Sequence, residues 1–232
     1  MSANTHWHEF AGPEDLANAL AARVADELQR ALDARGHALL AVSGGTTPKR
    51  FFHALARQHL DWGSVTVTLV DERFVPPYSD RSNERLVRDN LLRNEAAEAR
   101  FIGLYSAASS VEEAAAAAAS KLGDAAMPLD VAILGMGTDG HTASFFADAA
   151  NLDKLLDPDS KAIVLPVHPA SAGEARLTLS LARLVEARFV ALHIEGSQKR
   201  DVLQSILGGA SAPVGAVIEA SPRPVNVFWT GG

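Results

Sequence analysis

The chain predicts an α/β fold, three-layer α/β/α with a mostly parallel sheet, and three observations lead there. Short apolar, β-rich runs recur along it, most of them separated by longer stretches with helical spacing. These runs are continuous rather than alternating, the mark of strands buried on both faces of a sheet. At 232 residues and 47% apolar content the chain is long enough to bury a substantial interior, so residues 1–232 are expected to form a single domain.

The elements follow in order. A helix is predicted over 14–34 ("EDLANALAARVADELQRALDA"), then a strand over 38–43 ("ALLAVS"). Thr47 is a candidate N-cap and Pro48 suits a first helical position, so a helix is expected over 48–58. The β-branched run 65–70 ("VTVTLV") reads as a strand and 83–93 as a helix. The alanine run 114–119, with Glu112, Glu113 and Lys121 as its polar side, makes 110–122 a helix because alanine is the best helix former. Strands are expected at 131–136 ("VAILGM"), 162–167 ("AIVLPV"), 189–194 ("FVALHI") and 225–229 ("VNVFW"), with a helix over 197–207. Loops 76–82 and 168–175 are rich in Pro, Ser, Asp and Gly, and no repeat or linker divides the chain. In this architecture sites gather in loops at strand ends.

Composition narrows the function. A formal net charge of −7 argues against nucleic acid or an anionic membrane as partner, since both require a basic surface. An anion must therefore be met by a local basic cluster. There is no cysteine, which excludes disulfides and thiolate chemistry. The N-terminus lacks a basic-then-apolar leader and no run approaches 18 apolar residues, so a cytoplasmic location is expected. Eight histidines are present, none at metal-ligand spacing, and no metal or other cofactor is expected.

Three constellations carry chemistry. In "LLAVSGGTTPKRFFHAL" a strand runs into Ser43-Gly44-Gly45-Thr46 and then a helix start. Adjacent glycines let the backbone turn tightly and aim N–H groups at an anion. Lys49 and Arg50 stand where a helix dipole disfavours cations, a conflict that a bound phosphate would remove. The residues alone leave open an ordinary strand-to-helix turn with solvated cations. The second constellation, Asp71-Glu72-Arg73, follows the strand 65–70. Arg73 could fork onto a phosphate or carboxylate and Asp71 could accept from sugar hydroxyls; a surface ion pair is the alternative.

The third constellation is "LGMGTDGHTASFF", residues 134–146, with Gly135, Gly137 and Gly140 at G-x-G-x-x-G spacing. A dinucleotide reading fails, because Asp139 would point a carboxylate into the pyrophosphate and His168, not an acid, follows the next strand. Asp139 and His141 read better as a polar pair at the mouth of a helix over 142–149, with the histidine suited to proton transfer and the carboxylate to orienting it. The alternative is Asp139 as the N-cap of that helix.

Together, "SGGTTP", "VDERFVP", "SDRSN", "GMGTDGHTASFF" and "GSQK", in this order, resemble the 6-phosphogluconolactonase and glucosamine-6-phosphate deaminase superfamily over roughly residues 10–230. The resemblance implies a modified Rossmann-like sheet and a sugar-phosphate substrate, with the chain a monomer or small homo-oligomer. The deaminases carry a glutamate after the D-G-H segment where this chain has Phe146, and D-E-Y where it has Asp71-Glu72-Arg73, so the lactonase activity is the one implied. That activity is hydrolysis of 6-phospho-D-glucono-1,5-lactone to 6-phosphogluconate, in the oxidative pentose phosphate route. Ser144-Phe145-Phe146-Ala147 stands where many lactonases have S-L-F-P, which keeps an apolar wall but loses the proline. By resemblance Ser43, Gly44, Gly45 and Thr46 form the phosphate loop, Lys199 contacts the phosphate, Arg73 and Arg176 bind substrate, and His141 is the general base beside Asp139. The rival activities are a deaminase or isomerase, and a non-enzymatic sugar-phosphate sensor. The sensor would need a DNA-binding module before residue 38, for which one helix leaves too little chain.

Overall fold

A computed structural model describes residues 4–123 and 128–232 of the protein. In chain order its elements are β1 (Thr5–Phe10), α1 (Pro13–Arg35), β2 (Ala38–Val42), α2 (Lys49–Leu55), β3 (Val65–Leu69), β4 (Asp71–Arg73), α3 (Asn83–Asn90), β5 (Arg100–Ile102), α4 (Val111–Gly123), β6 (Val131–Leu134), α5 (Leu152–Leu155), β7 (Val164–Val167), β8 (Arg176–Leu179), α6 (Leu181–Val185), β9 (Phe189–Glu195), α7 (Ser197–Leu207), α8 (Pro213–Ala220) and β10 (Val225–Thr230). The central sheet is parallel throughout, in the order β1-β10-β9-β6-β2-β3-β5, and helices flank it. This is the expected α/β class.

Strand order reverses direction at β2, whose chain neighbours β3 and β5 lie on one side while β6, β9 and β10 lie on the other. Val42 pairs with Leu69 and Ile133, so the carboxyl ends of β2, β3 and β6 finish nearly level, while β9, paired at Leu192 with Leu134, runs on to Glu195. Such a switch point opens a crevice beyond the strand ends, where α/β proteins bind ligands. β2 and β6 are buried at every position, which explains why "ALLAV" and "VAIL" are unbroken apolar runs.

α1 starts with Pro13 at its first position and ends at Gly36, whose φ of 74° lets its N–H reach the Leu32 carbonyl at 2.7 Å. Its stripe of Leu16, Leu20, Val24 and Leu28 is fully buried, and the helix packs on α2, which contributes Phe51 and Phe52. Truncating either phenylalanine to alanine costs about 3–5 kcal/mol on the usual scale for buried aromatics. α2 thereby fixes the end of the loop that connects it to β2.

Several expectations need correction. The run 162–167 is not part of the parallel sheet: β7 pairs antiparallel with β8, and β8 with β4, in a second three-stranded sheet. Residues 168–175 are too few to carry a crossover helix, so the chain can only return antiparallel. Asp71-Glu72-Arg73 is a strand of that sheet rather than a loop beyond one. Val70 joins the two sheets, donating to the Val42 carbonyl and accepting from the Leu179 N–H, both at 2.9 Å. Thr47 does not cap α2, since Pro48 already takes the helical conformation and occupies the capping position itself. No helix spans 142–149. Its backbone turns instead, with Ala143 at φ 50° and Phe145 N–H donating to the Thr142 carbonyl. That segment is pinned by side chains, with Ser144 Oγ donating to Asp71 Oδ2 at 2.7 Å and Phe145 fully buried.

Candidate active site

The crevice at the switch point is a cavity lined by the Ser43–Pro48 loop after β2, by Asp71 and Arg73 of β4, by Asn83 at the start of α3, by Gly135–Gly137 and His141–Ala143 after β6, and by His193 and Lys199. Of the sequence-derived candidates, Ser43, Gly44, Gly45, Thr46, Asp71, Arg73, His141 and Lys199 line it together. Asp139 and Arg176 do not line it: Asp139 bonds to His141, which does, and Arg176 is the register partner of Arg73 in the small sheet.

The loop after β2 is shaped by its glycines. Ser43 N–H continues the ladder to the Ile133 carbonyl at 3.0 Å, and Gly45 then turns at φ 94°, a conformation that favours glycine. A Cβ on Gly44 would overlap the Asn83 side chain. That side chain in turn donates to the Asp71 carbonyl at 2.8 Å, so loop, α3 and β4 are tied to each other. Arg50 is held by Glu14 at 3.0 Å on the surface, which partly answers the dipole conflict noted above.

Glu72 lies beneath these groups with no exposed surface, and the sequence reading of a solvated ion pair misses it. Its two carboxylate oxygens accept from the N–H groups of Arg73, Asn83 and Glu84 at 2.7, 2.8 and 2.7 Å, and from Ser82 Oγ at 3.0 Å. Burial raises its pKa above the ordinary glutamate value, against the pull of those four donors. One buried carboxylate thus fixes the start of α3 and the backbone of β4, and with them Asn83 and Arg73.

After β6, Gly137 N–H donates to the His141 carbonyl at 2.9 Å and Gly140 turns at φ 79°, closing a tight loop that presents His141. Asp139 Oδ1 lies 2.6 Å from His141 Nδ1 and also accepts the His141 backbone N–H at 3.2 Å. The carboxylate therefore holds the proton on Nδ1 and leaves Nε2 with its lone pair. Burial opposes ionisation of Asp139, yet the two bonds from His141 outweigh it and keep the carboxyl below its usual range. The His141 ring stacks on Phe146, centroids 4.5 Å apart at 27°. The Arg176 guanidinium lies 6.0 Å from the centroid of the same Phe146 ring.

Arg176 is buried and bound to Glu174 at 2.6 Å. It stands directly opposite Arg73 in the β4–β8 register, so two guanidinium groups share one face of the small sheet. Like charges so placed repel; Glu174, which also pairs with Arg81, balances Arg176, while Arg73 donates to the Arg81 carbonyl. Lys199 projects from the first turn of α7 into the cavity. Desolvation lowers its pKa, and Glu195 partly restores it.

Sequence reasoning missed Asn83 and His193 as cavity residues. A polar histidine inside the buried run "FVALHI" was the available signal for His193, as was the coincidence of Asn83 with "SDRSN". Among the described residues no three His, Asp or Glu side chains stand together as a metal set, and no helix is long and apolar enough to cross a membrane.

A family model described as glucosamine-6-phosphate isomerases/6-phosphogluconolactonase matches residues 11–229. The 6-phosphogluconolactonase of Mesorhizobium japonicum is 57% identical over 228 residues, 98% of this chain and 96% of that protein. The 6-phosphogluconolactonase of Rhizobium meliloti is 52% identical over 232 residues, 99% of each chain. The crystal structure of a 6-phosphogluconolactonase from Shewanella baltica superposes with a TM-score of 0.91 at 41% identity, covering 97% of each chain.

Proposed function

The chain belongs to the glucosamine-6-phosphate isomerases/6-phosphogluconolactonase family, and from that premise we propose that it hydrolyses 6-phospho-D-glucono-1,5-lactone to 6-phosphogluconate with His141 as general base. With full-length relatives bearing the lactonase name, it is an enzyme, a lactone hydrolase. The reaction would place it at the hydrolytic step of the oxidative pentose phosphate route.

The observation that carries the reading is the 2.6 Å contact between Asp139 and His141 Nδ1 at the rim of the cavity. Water attacks C1 of the lactone while Nε2 of His141 takes its proton. The tetrahedral oxyanion then collapses, the bond from C1 to the ring oxygen breaks, and the imidazolium returns the proton to that oxygen. The ionised Asp139 stabilises the imidazolium between these steps. A base so used contributes about 10² to 10⁴ in rate.

Substrate binding completes the scheme. The phosphate is held by the Ser43-Gly44-Gly45-Thr46 loop and by Lys199, which lines the cavity with it. Asp71 accepts from a ring hydroxyl. Arg73 faces the lactone end, and Arg176 backs it through Phe146. The apolar stack on His141 supports the lactonase over the deaminase, since no carboxylate stands at position 146 to share in opening an aminosugar ring.

His141→Asn tests the base role. It should lose about 10² to 10⁴ in kcat while still binding 6-phosphogluconate. A variant with near wild-type turnover would remove His141 from the mechanism.

A further inference from the structure

His193 is the one buried ionisable group of the cavity that the scheme above leaves unused. It is 2% exposed, and it lines the cavity beside the Ser43–Pro48 loop and Lys199. Neither ring nitrogen has a hydrogen-bond partner among the described residues. Nε2 lies 3.3 Å from Oε1 of Glu195, an ion-pair separation without the alignment of a hydrogen bond, and that oxygen is likewise buried and unpartnered. Phe51 of α2 packs its ring edge-on against the imidazole, centroids 6.2 Å apart, and fixes the ring's position. Leaving buried polar atoms unmatched is costly, and where it occurs in a cavity it points to a ligand that completes the bonds.

We infer that His193 is a further phosphate-binding residue: on binding the sugar phosphate it becomes an imidazolium held between the phosphate dianion and the Glu195 carboxylate. The inference rests on the phosphate loop proposed above and adds a donor from the floor of the same subsite. Alternation along β9 puts His193 and Glu195 on one face, with Leu192 and Ile194 on the other. The charged groups around the pair are few. Glu195 lies on its own strand, Lys199 comes from α7 and Arg50 from α2; at the neighbouring register positions β10 offers Phe228 and β6 offers Leu134. The His193 contact, with the positive charges of Arg50 and Lys199 behind it, holds the Glu195 carboxyl below the usual range against the effect of burial. Glu195 is thus ionised at neutral pH and ready to accept from Nε2 of the ring. Bound phosphate supplies the other negative charge, so the imidazolium stands between two anions.

The test compares the wild type with His193→Phe, which keeps a ring against Phe51, and with His193→Gln, which keeps one donor. Inorganic phosphate, 6-phosphogluconate and unphosphorylated gluconolactone are the probes. In His193→Phe the inhibition constants for phosphate and 6-phosphogluconate, and KM for the phosphorylated lactone, should rise about 10- to 100-fold, the span of one charge-assisted hydrogen bond. kcat and the hydrolysis of unphosphorylated gluconolactone should change less than about threefold, a split that a merely structural histidine would not produce. His193→Gln should fall between. Thermal stabilisation by phosphate, strong in the wild type, should be lost in His193→Phe and retained in part by His193→Gln. Unchanged phosphate inhibition in folded His193→Phe overturns the role of His193 while leaving the loop intact. A wild type neither stabilised nor inhibited by phosphate overturns the loop and the inference together.

Discussion

The imidazole of His141 is clamped between a carboxylate and an aromatic ring: Asp139 meets Nδ1 at 2.6 Å, and Phe146 stacks on the ring face at 4.5 Å. Two residues of the same short loop therefore set the tautomer, the orientation and the surroundings of the proposed base. Asp139→Asn keeps the shape but replaces the ionised acceptor, and its amide can present N–H to Nδ1 and favour the wrong tautomer. We expect kcat to fall about 10- to 100-fold, the usual worth of a histidine's orienting partner. KM should be little changed, and steady-state kinetics on the phosphorylated lactone checks both.

Gly137 is the position on which this clamp depends sterically. A Cβ there would overlap both His141 Nδ1 and Asp139 Oδ1. Gly137→Ala should therefore fold, since the displaced groups are at the surface, yet lose about 10²-fold in kcat from a displacement of about an ångström. A variant with an unaltered melting temperature and wild-type kcat would contradict the geometry.

Glu72 should matter to both stability and binding. In Glu72→Gln one oxygen becomes an amide nitrogen that cannot accept, so two of the four donors lose their acceptor and the other two keep only a neutral one. The two bonds lost outright, at 1.5–3 kcal/mol for each bond to a charged group, come to about 3–6 kcal/mol. KM should rise with it, because Asn83 and Arg73 are placed through the same carboxylate. Urea midpoints and KM on the same preparations measure the two effects.

Lys199 gives a pH dependence whose sign is set by desolvation. Its folded pKa is lowered, so the ammonium is disfavoured by the fold at neutral pH, and that cost is relieved as pH rises through the lowered value. The side chain loses its charge at a lower pH than a free lysine. Binding of 6-phosphogluconate should therefore weaken on the alkaline side at a pH below 10.5, where an ordinary lysine titrates. Lys199→Ala should weaken binding at neutral pH and abolish this alkaline decline, without lowering stability. Calorimetric titrations across the alkaline range would show it.

How far the sequence reached depends on what each element buries. β2 and β6 carry unbroken apolar runs because both faces are covered, β3, β9 and β10 are apolar or β-branched at most positions, and all five were legible for that reason. β1 was not: "THWHEF" is an edge strand paired only with β10, and its exposed positions take polar residues. β5 and β8 are short, and their burial is decided by partners far along the chain. The glycines and the Asp139–His141 pair could be read locally, since residues two apart in a tight loop must meet. Glu72, Asn83 and His193 could not, because their roles come from contacts between α3, β4, β9 and the first loop. The missing helix at 142–149 has a similar origin, with Ser144 bonded to Asp71 from a different sheet.

Phe146 separates the two activities of the family in a way open to direct substitution. Phe146→Glu should remove the stack on His141 and lower lactone hydrolysis, and it should not yield an efficient deaminase, because Arg73 and the small sheet around it are unchanged. Ammonia measured from glucosamine 6-phosphate should stay at background for this variant.

Lactone hydrolysis at this site is checked by following two substrates with the unmodified protein. Freshly generated 6-phospho-D-glucono-1,5-lactone is assayed by pH-stat with correction for its spontaneous opening, and glucosamine 6-phosphate is assayed for ammonia. Lactone hydrolysis well above the spontaneous rate, with no ammonia, is the expected result of His141 chemistry in this cavity. Lactone opening no faster than in buffer, or ammonia release at a rate comparable with lactone hydrolysis, would contradict it.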